Sequence, residues 1–169
     1  SATSFNNLGR LNTLMGAYAE AIDNLKKAQK NDPNLVPSYY NLGLVYEILG
    51  RFDNAIKEYQ KGATVAPNNP EILISLAWAY GETKRFREAI SPLEKAIKLS
   101  PNNPDAHYSL GWTLGELHRY QDSIQPLQEA LRINPNHSAA QERLEMAFNR
   151  LRKKSPNKNK KLFLQSKAN

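Results

Sequence analysis

The sequence predicts an all-α fold, a solenoid of antiparallel helix-turn-helix repeats, and two observations carry that prediction. The first is a period of 34 residues, which appears in the strings NDPN, APNN, SPNN and NPNH and spaces four prolines evenly, at Pro33, Pro67, Pro101 and Pro135. Four leucines follow the same step, at Leu8, Leu42, Leu76 and Leu110. Self-similarity at a fixed period of this length is typical of stacked repeats.

The second observation is helical spacing inside each period. In the second repeat, one apolar stripe follows the i, i+3, i+4, i+7 pattern of a helix and consists of Tyr39, Leu42, Gly43 and Tyr46. A second stripe comprises Phe52, Ala55, Ile56 and Tyr59. Gly50 lies between the stripes, where a helix end needs a left-handed residue. Each repeat is therefore predicted to be two helices, with proline ending the second.

The period also predicts the boundaries of the chain's parts. Four repeats are expected at residues 2–35, 36–69, 70–103 and 104–137. Residues 138–154 stay in phase and keep an apolar stripe at Leu144, Ala147, Phe148 and Leu151, which is typical of a capping helix. Residues 155–169 lack periodicity and are expected to form a basic, disordered tail.

These columns resemble the tetratricopeptide repeat family. Its pattern of Leu-Gly, Tyr, Ala, an aromatic residue and Pro is matched in the second repeat by Leu42-Gly43, Tyr46, Ala55, Tyr59 and Pro67, and the resemblance covers roughly residues 2–137. It implies a right-handed superhelix whose first helices line a concave groove. It also implies a non-catalytic scaffold that binds a peptide or helix of a partner protein in that groove.

Composition excludes several classes of site. The 169 residues contain no cysteine, which excludes disulfides, cysteine-zinc sites and thiol nucleophiles. The three histidines lack metal-ligand spacing and no phosphate-binding glycine loop precedes a helix, so neither an enzyme nor a metal or other cofactor is expected. No apolar run is long enough to span a membrane. The cytoplasm is the expected compartment, with the periplasm as the alternative.

The net charge of +7 belongs to the end of the chain. Residues 150–169 contain eight lysines or arginines and no acid, whereas the rest carries 15 basic and 16 acidic residues. A basic tail of this kind could bind nucleic acid or an acidic surface weakly. That interpretation stays open as an alternative function, as does self-association through the groove.

Both tryptophans, Trp78 and Trp112, stand at position 9 of a predicted first helix. At about 100° per residue, this position points away from the core stripe. One interpretation is a contact with a partner; the other is packing between repeats, for example of Trp78 on Tyr108. Gly81 and Gly115, one turn further on, indicate that space is needed beside each indole.

The resemblance implies which other side chains face the groove. Its variable positions include Asn6, Arg10, Glu47 and Ile48. The narrower set of candidates combines an apolar floor, amides or hydroxyls that hold a peptide backbone, and acids that favour a basic ligand. This set is Asn7, Tyr40, Asn41, Leu44, Glu71, Ile74, Ser75, Trp78, Glu82, Asp105, Tyr108, Ser109, Trp112 and Glu116.

Overall fold

The computed structural model describes residues 1–154, and within that range the chain forms nine helices and no strand. Successive first helices begin 34 residues apart, which confirms the predicted all-α architecture. The expectation for residues 155–169 lies outside the described residues. The helices are α1 (Ala2–Leu14), α2 (Tyr18–Asn31), α3 (Val36–Ile48), α4 (Phe52–Val65), α5 (Pro70–Glu82), α6 (Phe86–Leu99), α7 (Pro104–Glu116), α8 (Tyr120–Ile133) and α9 (Ser138–Lys154).

The chain divides into two compact units. Unit 1, Ser1–Arg85, holds α1 to α5, and unit 2 begins at Phe86 and holds α6 to α9. The division falls in the turn between α5 and α6, inside the third predicted repeat. The repeat boundaries given above therefore stay a prediction.

The turn inside each helix pair has the same geometry throughout. One residue per turn is left-handed, with φ of 75° at Gly16, 68° at Gly50, 59° at Lys84 and 58° at His118. In the second pair, the amide of Gly50 donates to Glu47 and that of Arg51 to Tyr46, both at 2.8 Å. These two bonds form a Schellman motif, which ends the first helix and reverses the chain.

Glycine lets the helices of a pair approach closely. A Cβ added to Gly43 would lie 2.3 Å from Cε1 of Tyr59, and one added to Gly9 would lie 2.5 Å from Cγ of Leu25. Because the partner side chains Tyr59 and Leu25 are fully buried, they occupy the space that a larger residue would need. Gly111 and Leu127 repeat this arrangement in unit 2.

The two described ends differ in burial. Leu8 on α1 is 44% exposed, although Leu42 at the same repeat position is fully buried. The difference arises because α1 packs against α2 and α3, with no described helix on its other side. At the other end, α9 packs on α8 and buries Ala140 against Leu127 and Ala130.

Candidate functional site

The candidate surface of unit 1 lies on α3 and α5. Helical spacing of four residues aligns Tyr40 with Leu44 on α3, and Ile74 with Trp78 on α5. Trp78 is 40% exposed, and the other three side chains are half-buried. We call this surface, comprising Tyr40, Leu44, Glu47, Ile74, Ser75, Trp78 and Glu82, the first-helix face of unit 1.

The predicted site residues differ in accessibility. Asn7, Glu71, Trp78, Glu82 and Asp105 are exposed, and Ser109 is buried. The remaining members are half-buried, namely Tyr40, Asn41, Leu44, Ile74, Ser75, Tyr108, Trp112 and Glu116. The last residues of the set belong to unit 2, namely Asp105, Tyr108, Ser109, Trp112 and Glu116, and the others belong to unit 1.

The amide of Asn41 already has a partner within unit 1. Its Nδ2 donates to Oδ1 of Asn6 at 2.9 Å, and Asn6 itself is buried. This bond joins α3 to α1 and leaves the Asn41 carbonyl as the group that could accept from a peptide backbone. The predicted role of Asn41 in holding a backbone stays a prediction.

A carboxyl group with a raised pKa lies on the same face. Burial raises the pKa of Glu47 from its ordinary value of 4.5 to about 7, the charge of Glu82 adds to the rise, and the nearby Tyr59 hydroxyl opposes it. Burial also raises the pKa of Tyr59, with the Glu47 carboxylate as the second cause. The two groups with raised pKa values, Glu47 and Tyr59, thus lie together where α3, α4 and α5 meet.

The polar atoms of this cluster are not satisfied by the chain. Among the described residues, Oε1 of Glu47 and the hydroxyl of Tyr59 are buried without a hydrogen-bond partner of normal geometry. Ser75 lies close enough to influence the pKa of Tyr59 but completes no such bond. A buried polar group left in this state costs about 1–3 kcal/mol. Their sequence positions predict Glu47 on the groove and Tyr59 in the core, but no spacing along the chain predicts that these two side chains meet.

In unit 2, the candidate residues contact one another. Nε1 of Trp112 donates to Oε1 of Glu116 at 3.2 Å, and the indole meets the ring of Phe86 edge-on at 5.8 Å. The same Glu116 oxygen accepts from Nη1 of Arg143 at 2.6 Å. Tyr108 lies 4.6 Å from the His137 ring, between centroids. Internal contacts thus occupy much of this surface.

Gly115 borders a cavity of about 150 Å³ between α7, α8 and α9. A Cβ at this glycine would meet nothing within 4 Å. Trp112 is not among the residues that line this cavity, so the space predicted beside its indole stays a prediction. Arg143 and Arg150 line the cavity together with Glu116, Tyr120 and Met146.

Two kinds of feature are absent from the part of the chain that the structure describes. Residues 1–154 contain no group of three or more side chains placed to hold a metal ion. In that same range, no helix combines the length and apolarity that crossing a membrane requires.

Family comparison decides what kind of repeat this is. Models described as "Tetratricopeptide repeat" match residues 35–102 and 93–125, and one described as "TPR repeat" matches residues 9–50. The chain belongs to the tetratricopeptide repeat family. No curated protein sequence matches it. As a tetratricopeptide repeat protein, it is a protein-interaction scaffold of a family that is typically non-catalytic.

Solved structures of this family are similar to the chain over most of its length. The "Crystal structure of MamA protein" is 26% identical with a TM-score of 0.83, covering 88% of this chain and 81% of that one. "MamA 41-end from Desulfovibrio magneticus RS-1" is 20% identical, with a TM-score of 0.82 and coverage of 97% and 92%. YrrB, described as "a TPR protein with an unusual peptide-binding site", is 18% identical, with a TM-score of 0.75 and coverage of 100% of this chain and 93% of that one.

Proposed function

We propose that this tetratricopeptide repeat protein binds an extended segment or a helix of a partner protein on the first-helix face of unit 1. The observation that supports it is the apolar row of Tyr40, Leu44, Ile74 and Trp78, left partly open beside the carboxylates Glu47 and Glu82. Aromatic side chains on a partly open apolar surface are typical of the centre of a protein interface.

The charge of the face favours a basic and apolar partner segment. Glu71 and Glu82 are exposed, and neither forms an ion pair with a lysine or arginine of unit 1. Carboxylates at the edge of an apolar floor attract cationic groups and repel acidic ones. The similar protein YrrB is described as a TPR protein with an unusual peptide-binding site.

The corresponding residues of unit 2 form contacts within that unit. In unit 2, Glu116 is shared between Trp112 and Arg143, and Tyr108 lies against His137. A partner would have to displace those contacts before it could use the same atoms. The unit 2 members of the predicted set stay candidates for a secondary contact.

Selection from a displayed library of random 12-residue peptides tests this function on the full 169-residue chain. Recovered peptides are expected to bind the wild-type chain and to lose about tenfold or more in affinity on Trp78→Ala, because truncating a central aromatic residue typically costs that much. Leu99→Ala is the matched control, since Leu99 is also 40% exposed but lies on a second helix, α6.

Two results would contradict the proposal. One is a selection that enriches no peptide. The other is a set of peptides that bind Trp78→Ala and Leu99→Ala equally well, while both variants keep the wild-type unfolding temperature. Either result would remove the first-helix face of unit 1 as the binding site.

A further inference from the structure

The strongest unexplained feature of unit 1 is the pair of buried oxygens at Glu47 and Tyr59. Tyr59 has no exposed surface, its ring lies on Gly43, and its centroid is 6.2 Å from that of Tyr40. The ring is therefore held in place, with its hydroxyl beside the Glu47 carboxyl. Among residues 1–154, neither oxygen has a hydrogen-bond partner of normal geometry.

A second buried carboxyl in the same helix pair does have hydrogen-bond partners, in contrast to Glu47. Glu58 is also buried, and it lies one residue before Tyr59 on α4. Its oxygens accept from Nε2 of Gln29 at 2.8 Å and from Nζ of Lys61 at 2.7 Å. The chain thus supplies two donors of normal geometry to Glu58, whereas beside Glu47 it places the Tyr59 hydroxyl without a bond of normal geometry, so a further donor for Glu47 can come from outside.

The groups around Glu47 offer oxygens and negative charge. Tyr40 comes from α3, Tyr59 from α4, and Ser75 and Glu82 from α5. Within unit 1, no lysine or arginine forms an ion pair with Glu47 or Glu82. An ammonium group has three N–H donors and no acceptor, so it complements a carboxylate and two hydroxyl oxygens. The Tyr40 ring adds a face over which a cation is stabilised.

We propose that Glu47, Tyr59 and Ser75 form a subsite that takes one cationic side chain, a lysine or an arginine, from the protein segment bound on the first-helix face of unit 1. This inference rests on the proposed function and identifies the chemistry of one position in the ligand. The apolar row binds the flanking side chains, and the subsite selects the cationic residue between them.

The subsite also makes binding depend on pH. A cation binds the ionised form of Glu47, whose pKa of about 7 leaves the carboxyl mostly protonated at pH 6 in the free protein. Affinity for a lysine or arginine peptide is therefore expected to rise by up to about tenfold between pH 6 and pH 8. Below pH 7, binding expels the proton of Glu47.

The test uses the tightest peptide from the library selection, remade with its lysine or arginine replaced by norleucine. Titration calorimetry at pH 8 compares the wild-type chain with Glu47→Gln and with Glu145→Gln, a control on an exposed acid of α9. The cationic peptide is expected to lose about tenfold or more in affinity on Glu47→Gln, because one member of a desolvated charge pair is removed. The norleucine peptide should bind all three chains alike.

Tyr59→Phe provides a second variant, since it removes one oxygen and keeps the packed ring. It is expected to weaken the cationic peptide several-fold and to leave the norleucine peptide unchanged. At pH 6, heats measured in two buffers of different ionisation enthalpy should reveal proton release for the cationic peptide on the wild-type chain, and none on Glu47→Gln.

The outcomes separate the two proposals. Peptides that depend on Trp78 but carry no recurrent lysine or arginine, or that bind Glu47→Gln as tightly as the wild type, overturn the subsite and leave the binding face in place. Failure to recover any Trp78-dependent peptide overturns both. A recurrent cation whose affinity depends on Glu47 and on pH supports both.

Discussion

At the scale of single residues, two glutamates of one helix pair show what decides the state of a buried carboxyl. Glu58 has Gln29 and Lys61 within hydrogen-bonding distance, whereas Glu47 has one buried oxygen without a partner. Burial disfavours the charged form of a group unless donors or opposite charges compensate. The ionised form of Glu47 is therefore expected to lower the stability of the folded chain and, at the same time, to be the form that binds a cationic side chain.

We expect Glu47→Gln to stabilise the chain at pH 8 and to have little effect at pH 4.5. The pKa of Glu47 is about 7 in the folded chain against an ordinary 4.5, so the folded state binds this proton more tightly than the unfolded state does. Its contribution to stability is therefore present below pH 4.5 and lost as the pH rises to 7. Glutamine has no such proton.

Thermal unfolding followed by circular dichroism at pH 4.5, 6, 7 and 8 measures this difference. The advantage of Glu47→Gln over the wild type should grow between the first and last of these values, and by more than that of Glu145→Gln, the control at an exposed acid of α9. An advantage that is equal at all four would contradict the assignment of a raised pKa to Glu47.

Glycines at different positions of the first helices should respond oppositely to alanine. Gly43→Ala would place a methyl group 2.3 Å from the Tyr59 ring, and such overpacking costs about 1–3 kcal/mol. Gly115→Ala meets nothing within 4 Å and is expected to stabilise α7 by up to about 1 kcal/mol. Urea unfolding of both variants measures the two free energies, and a cost at Gly115 like that at Gly43 would show that the space beside it is needed.

At the scale of helices, all four helix pairs turn through one residue with a left-handed backbone, but only two of these four residues are glycine. Gly16 and Gly50 adopt positive φ without strain, whereas Lys84 and His118 adopt it with a Cβ atom. His118 gains a contact between Nδ1 and the hydroxyl of Tyr120 at 2.8 Å. Lys84 is exposed, and its side chain forms no described hydrogen bond or ion pair.

We expect Lys84→Gly to stabilise unit 1 by about 0.5–1 kcal/mol. The left-handed conformation costs a residue with a Cβ about 1–2 kcal/mol, and part of the gain is offset by the backbone entropy of glycine. Gly50→Ala puts a Cβ atom into a left-handed turn that glycine adopts without strain, and it should lower the free energy of unfolding by about 1 kcal/mol. Urea unfolding that ranks these two variants in the opposite order would contradict the strain at Lys84.

At the scale of the whole molecule, burial within a repeat depends on whether a neighbour stands on each side. A repeat cannot bury both faces alone, so its interface with the next repeat carries much of the stability. Leu42 lies inside unit 1 with helices on both sides, and Leu8 lies on the outer helix of that unit.

Truncation of these two leucines should therefore differ widely in cost. Leu42→Ala is expected to lose about 2–5 kcal/mol, the usual range for a buried leucine. Leu8→Ala should lower the free energy of unfolding by less than about 2 kcal/mol, since the Leu8 side chain is 44% exposed. Equilibrium urea unfolding compares them, and equal costs would mean that Leu8 is covered in solution, for example by a second copy of the chain.

The period of 34 residues by itself determined the all-α repeat fold, the helix pairs and the left-handed residue at Gly50. These features follow from local spacing, because a stripe at i, i+3, i+4 and i+7 defines one helix face whatever lies opposite it. Spacing also placed Trp78 and Glu47 off the core stripe. It could not show that Leu8 is exposed, since every repeat looks alike to a periodic pattern.

Only the tertiary structure decided which polar groups find partners. Asn41 bonds Asn6 across 35 residues of sequence, and Gln29 reaches Glu58 across 29. Glu47 and Tyr59 meet at the junction of α3, α4 and α5 with buried oxygens that lack partners. Such outcomes depend on the side chain that the neighbouring helix presents, and so on the angle and distance between packed helices rather than on spacing along one of them.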